Sequence, residues 1–126
     1  MKKTINTENA PAPIGSYNQA VKSGHLLYTS GQIPIDPMTG EMVSGGIREQ
    51  TIQVLENLKS VVEAAGCTLD DVIKTTVFLA DMADFPELNT LYAEYFGEDN
   101  APARSTVQVA ALPKGALVEI ELVAKV

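Results

Sequence analysis

IREQTIQVLENLKSVVEAAGCTLDDVIKTTVFLA, residues 47–80, contains both of the periods from which the fold follows. In its first half Ile47, Val54, Leu55, Leu58, Val61, Val62 and Ala65 recur at offsets of 7, 8, 11, 14, 15 and 18, which is one stripe of an α-helix. Glu49, Gln53, Glu56, Lys59, Ser60 and Glu63 fill the other side, and Gly66 supplies the stop. Thr68, with Asp71 three residues on, reads as a capping box over one short turn. The period then changes, and VIKTTVFLA, residues 72–80, reads as a strand.

The rest of the chain arranges itself around this helix–strand pair. Upstream, a short opening strand is joined by the Pro/Gly segment NAPAPIGS to a hairpin of residues 21–23 and 25–33 about Gly24, stopped by Pro34. PIDPMTGEMVSGG, residues 34–46, is loop. Downstream, Asp84 begins a second helix with Pro86 in its first turn and Glu87 three residues after the cap. Phe85, Leu88, Leu91, Tyr92, Tyr95 and Phe96 keep helical spacing, and Gly97 ends it. Strands at residues 104–109 and 117–125 complete the order β-ββ-α-β-α-ββ. Both helices are amphipathic on one stripe only, so the predicted architecture is α+β: one domain, residues 1–126, with two helices on one face of a mixed sheet.

Period-2 alternation in the last two strands bears on the other face. Val118, Ile120, Leu122 and Ala124 share one side, and Ser105, Val107 and Val109 share one side. If these apolar sets meet the helices, the uncovered face carries Arg104, Thr106, Gln108, Glu119 and Glu121, mixed with Leu117 and Val123. A solvated face with weak Arg–Glu pairs is one reading of that set. A subunit interface is the other, because the face is partly apolar and Pro102 stiffens the entry to the strand.

Composition excludes several function classes. A net charge of −7, with basic residues scattered, offers no patch for phosphate neutralisation. MKKTINTENAPAP has no apolar core after its lysines, so it does not read as a signal peptide, and no apolar run approaches a membrane span. One cysteine, Cys67, excludes an internal disulfide and suits a reducing compartment, which makes the cytoplasm the expected location. His25 is the only histidine, so no transition-metal site is expected, and no phosphate loop or dinucleotide fingerprint occurs. Asp70-Asp71 and Glu98-Asp99 read as cap and turn residues.

PARSTVQVAALPKGALVEIEL resembles the C-terminal signature of the reactive-intermediate deaminases, the Rid or YjgF-type proteins. IGSYNQAV, YTSGQIPIDPMTGEMV, EQTIQVLENLKSVVEAAG and VIKTTVFLADMADFPELNTLYAEYF are similar to its other blocks, in order, over essentially the whole chain. The resemblance implies a chorismate-mutase-like fold and a homotrimer with clefts between subunits. It also implies an enzyme clearing damaging metabolites: a cofactor-free hydrolase converting 2-iminopropanoate and 2-iminobutanoate to 2-keto acids and ammonia.

It further implies roles for particular residues. Arg104 matches the carboxylate-binding arginine, where a guanidinium makes two parallel hydrogen bonds that Lys cannot. Glu119 matches the acidic position that holds water or moves protons. Tyr17, Ser30 and Gly31 match residues lining the cleft, and Asn89 another retained position that could equally be structural. Thr106 stands where many relatives have cysteine and is assigned backbone duties only. Ser16 and Asn18 depart from the more usual Pro and Ser beside the tyrosine. Arg104 and Glu119 are expected from one chain, with Tyr17 approaching from the next. A Rid-type protein that binds small molecules in the same cleft without turnover is the alternative; a chorismate mutase or ribonuclease activity is set lower.

Overall fold

The computed structural model describes residues 1–126 and has the element order read from the sequence. Three strands, β1 (Lys2–Ile5), β2 (Ala20–Ser23) and β3 (Leu26–Thr29), lead to helix α1 (Ile47–Ala64). Strand β4 (Val72–Leu79), helix α2 (Phe85–Phe96), β5 (Ala103–Gln108) and β6 (Val118–Lys125) follow. The strands form one sheet in the order β1-β2-β3-β6-β4-β5, so the last strand is central and β1 and β5 are the edges. Only β4 and β5 pair in parallel, a pairing that needs the crossover connection which α2 provides.

Both helices cover one face. Val54, Leu55, Leu58, Val61 and Val62 of α1 and Leu88, Tyr92 and Phe96 of α2 are buried against Leu27, Val77, Leu79, Val118, Ile120, Leu122 and Ala124 of the sheet. The α1 stripe is the one its period predicts. Gly66, at φ 88°, ends it in the left-handed region. At Thr68 the capping box forms, with the Thr68 N–H donating to Asp71 Oδ2 at 2.9 Å and the Asp70 N–H to Thr68 Oγ1 at 3.3 Å.

Three sequence expectations need correction. The second hairpin strand is shorter than residues 25–33 suggest, because β3 leaves the ladder after Thr29 and rejoins only as a bridge from Gln32 to Ile120, while the first gains Ala20 over residues 21–23. The second helix is not capped by the side chain of Asp84; a 3₁₀ turn, Met82–Asp84, precedes it, and Asp81 caps that turn by accepting from the Ala83 N–H at 2.9 Å.

The third correction concerns the faces. In β5 the pairs are Thr75↔Arg104, Val77↔Thr106 and Leu79↔Gln108, and residues opposite one another point to the same side. Thr75, Val77 and Leu79 are buried beneath the helices. Arg104, Thr106 and Gln108 therefore lie on the covered face. The open face carries Ser105 and Val107 in rows with Thr76 and Glu121 and with Phe78 and Glu119. That face remains mixed: Tyr28 and Val107 are exposed beside Val21, Val123 and Phe78.

Candidate functional site

The side chains singled out in the sequence fall into two groups on opposite faces of the sheet. Glu119 anchors the first. It projects from β6 into a cavity of about 350 Å³ shared with Tyr17, Ser30, Gly31, Ile14 and Pro113. A Cβ on Gly31 would stand 2.8 Å from the carboxyl carbon of Glu119, so any larger residue there would turn the carboxylate away. Ser30 spends its hydroxyl proton on the Asn18 carbonyl at 2.6 Å, which fixes the strand exit rather than facing a ligand. Tyr17 is half exposed, and its phenol oxygen accepts a long hydrogen bond, 3.4 Å, from the Ile14 N–H.

The wall of this cavity is held by residues that the sequence did not single out. Gln19, buried, accepts from the Thr7 N–H at 2.7 Å and donates to the Thr7, Ala10 and Pro11 carbonyls at 3.0, 3.2 and 2.8 Å. Asn57, buried on α1, donates to the Ile35 carbonyl at 2.9 Å. These side chains satisfy backbone groups of loops that would otherwise be buried without partners. The signal for Asn57 was an amide next to the apolar stripe of α1; for Gln19 there was none beyond its place after the tyrosine. Asn18 accepts from Asn6 at 2.9 Å, tying the tyrosine loop to the end of β1.

Electrostatics bear on Glu119 as well as geometry. Burial, and second the nearby Glu121 carboxylate, push its pKa above the ordinary 4.5. Both causes favour the neutral acid.

Arg104 anchors the second group. Its Nη1 donates to Asn89 Oδ1 of α2 at 2.8 Å, and its guanidinium lies over two rings of the same helix, 4.7 Å from the centroid of Tyr92 and 5.3 Å from that of Phe85. Asn89, Tyr92, Ala93, Pro102 and Arg104 border a cleft of about 320 Å³. Asn89 is thus joined to the arginine through its side-chain oxygen. Thr106, next on the same face, has a buried hydroxyl oxygen with no hydrogen-bond partner.

The structure does not bring Arg104 and Glu119 together within one chain, as the sequence reading expected. Tyr17, Ser30 and Gly31 gather with Glu119; Asn89 gathers with Arg104. The reason is the register of β5 against β4, which turns Arg104 to the helix side while Glu119 faces outward.

The remaining candidates are plainer. Cys67 is buried, and burial raises its thiol pKa, so it is not a ready thiolate. His25 is exposed at the turn between β2 and β3. No group of three or more His, Cys, Asp or Glu side chains is placed to hold a metal ion, and no helix is long and apolar enough to cross a membrane.

Residues 7–126 match the family model described as Endoribonuclease L-PSP. The chain is 60% identical over 124 residues to a RutC family protein of Pyrococcus horikoshii, covering 98% of each. It is 49% identical over 124 residues to the human 2-iminobutanoate/2-iminopropanoate deaminase, covering 98% of this chain and 90% of the human one. This chain belongs to the Endoribonuclease L-PSP, or RidA, family. Among solved structures, the RidA of an Antarctic Psychrobacter superimposes with a TM-score of 0.94 at 48% identity, covering 98% of this chain and 99% of that one. The Escherichia coli YjgF gene product gives 0.92 at 51% identity, with 98% of each covered. The fold is thus the YjgF-type, chorismate-mutase-like arrangement of the family.

Proposed function

We propose that this RidA-family chain hydrolyses 2-imino acids such as 2-iminopropanoate and 2-iminobutanoate to 2-keto acids and ammonia. The observation that carries the reading is the state of Arg104. Its charge is supported by two aromatic rings and an amide oxygen, and its hydrogen bond to Asn89 uses one of the five N–H groups of a guanidinium. An arginine held in this way is prepared for a planar carboxylate.

With the carboxylate fixed, C2 of the imine is placed for attack. Glu119 takes a proton from water as the water oxygen bonds to C2 and hands that proton to the imine nitrogen, leaving a carbinolamine and a free carboxylate. The carbinolamine hydroxyl proton then passes to the nitrogen through Glu119 as the C–N bond breaks, which releases ammonia and leaves the keto oxygen. The raised Glu119 pKa suits a group that must both accept and give a proton. Gly31 leaves room for its carboxylate, Tyr17 and Ser30 line the same cavity, and the backbone of Thr106 contributes next to Arg104.

Since the two groups lie on opposite faces, one substrate can meet both only where two chains adjoin. The exposed, partly apolar sheet face with Tyr28 and Val107 suits burial against a neighbour. We therefore propose a homotrimer whose clefts combine the Arg104 of one subunit with the Glu119 of the next, working in the cytoplasm without cofactor. A ribonuclease reading fits poorly, given the net charge of −7 and a single exposed histidine.

The deciding experiment generates 2-iminobutanoate in situ and follows its loss with and without the protein. Faster loss that depends on enzyme concentration is expected. A rate equal to spontaneous hydrolysis would overturn turnover and leave a ligand-binding protein.

A further inference from the structure

Arg104 is unusual for a charge on the covered face of a sheet. It lies half-buried against a helix, and the oxygen it reaches is that of a neutral amide, Asn89, at 2.8 Å. What else meets it is aromatic. The nearer ring belongs to Tyr92, which is buried, and that ring is itself held from two directions. Its hydroxyl lies 2.6 Å from Thr75 Oγ1, and its face packs on Phe96 with centroids 4.5 Å apart. Thr75 is fully buried and is the residue directly opposite Arg104 in the β4–β5 ladder.

These contacts close a small circuit. β5 supplies the guanidinium, α2 supplies the ring beneath it, and β4 supplies the hydroxyl that fixes the ring, at the very register position where the arginine begins. A cation over a ring is drawn to that ring's face, so a fixed ring fixes where the guanidinium sits. Asn89 takes one N–H and so restricts its rotation. Of the two rings, Tyr92 is the nearer, at 4.7 Å against 5.3 Å for Phe85.

We propose that Tyr92, anchored by Thr75, is a positioning residue for Arg104, holding the guanidinium where its free N–H groups meet the substrate carboxylate. This rests on Arg104 being the carboxylate clamp. It makes the Tyr92 hydroxyl an element of substrate affinity although it touches no substrate, and the pair Thr75–Tyr92 a functional unit rather than a core hydrogen bond that happens to lie nearby.

The test uses the full-length protein and two probes: 2-iminobutanoate generated in situ for turnover, and 2-oxobutanoate for equilibrium carboxylate binding by calorimetry. Tyr92→Phe keeps the ring and removes the anchor; Thr75→Val removes the anchor from the other side; Thr75→Ser keeps the oxygen. Tyr92→Phe and Thr75→Val are each expected to raise KM and the Kd of 2-oxobutanoate by about fivefold, with kcat changed less than about twofold. Thr75→Ser should bind like the native chain. The double variant Tyr92→Phe/Thr75→Val should be no worse than either single one, since both remove one contact.

A merely structural hydrogen bond would lower Tm in Tyr92→Phe and leave the Kd of 2-oxobutanoate unchanged, and that result overturns the proposal. So does additive loss in the double variant. Arg104→Lys separates this inference from its premise. If that variant binds 2-oxobutanoate as the native chain does, the clamp reading has failed and this one with it. If Arg104→Lys loses binding while Tyr92→Phe and Thr75→Val retain it, the clamp stands and only the positioning role is lost.

Discussion

Glu119 sits where a carboxylate is costly. It is partly withdrawn from water, and Glu121 adds repulsion, so its pKa is raised in the folded chain. A carboxyl whose pKa rises on folding favours the folded state only while protonated, and that contribution is lost as pH climbs through the raised value. Below the ordinary 4.5 both folded and unfolded chains carry the proton and the penalty is absent. Glu119→Gln is therefore expected to unfold at a higher temperature than the native chain near pH 7, with the difference closing as the pH falls below about 4. The same variant should slow imine hydrolysis by about 10²- to 10⁴-fold, the usual contribution of a general acid–base group. Thermal scans across pH, paired with the in situ assay, check both. Equal melting temperatures at neutral pH would mean that the carboxylate suffers no burial penalty, and unchanged turnover would remove its chemical role.

At the scale of elements, α1 and α2 were legible because an apolar stripe of 3.6-residue period has one physical solution. Strand β6 was legible too, with Val118, Ile120, Leu122 and Ala124 all buried and Glu119 and Glu121 on the other side. β5 was not. The inward-apolar rule assigned Val107 to the core, but β5 is an edge strand, and its register against β4 places Thr106 and Arg104 inward beneath α2. Val107 is left 45% exposed, free for a neighbour, while aromatic rings of α2 accommodate the arginine that the rule had sent outward. The identities of the site residues came from resemblance; which of them meet came only from the register. Loops were the least legible, since their order depends on single buried amides. Gln19→Leu should show this, because it deletes the four hydrogen bonds that hold residues 7–11 and leaves backbone groups unpaired. A loss of about 2–4 kcal/mol in urea unfolding is expected. Pro11 and Ile14 line the Glu119 cavity, so KM should rise as well. Stability within about 0.5 kcal/mol of native would show that water replaces those bonds.

For the whole molecule, the separation of Arg104 from Glu119 makes a direct prediction about assembly. Arg104→Ala and Glu119→Ala chains, each inactive and each shown to be trimeric, should complement one another after co-refolding. With random mixing at equal ratio, about a quarter of the clefts in a cyclic trimer would join an intact arginine to an intact glutamate. Mixed trimers that form but stay inactive would place both groups in the cleft of a single chain. The strand order has a bearing on folding as well. β6 lies between β3 and β4, yet every other strand precedes it in the chain. Until β6 docks, the β1–β3 meander and the β4–α2–β5 unit have no shared partner, and each presents an unsatisfied ladder to solvent. Arg104, Asn89 and Tyr92 all belong to the second unit; Glu119 arrives only with the strand that locks the two halves into one sheet. A chain ending before residue 118 thus leaves two open sheet edges, and aggregation rather than a smaller stable domain is the expected outcome.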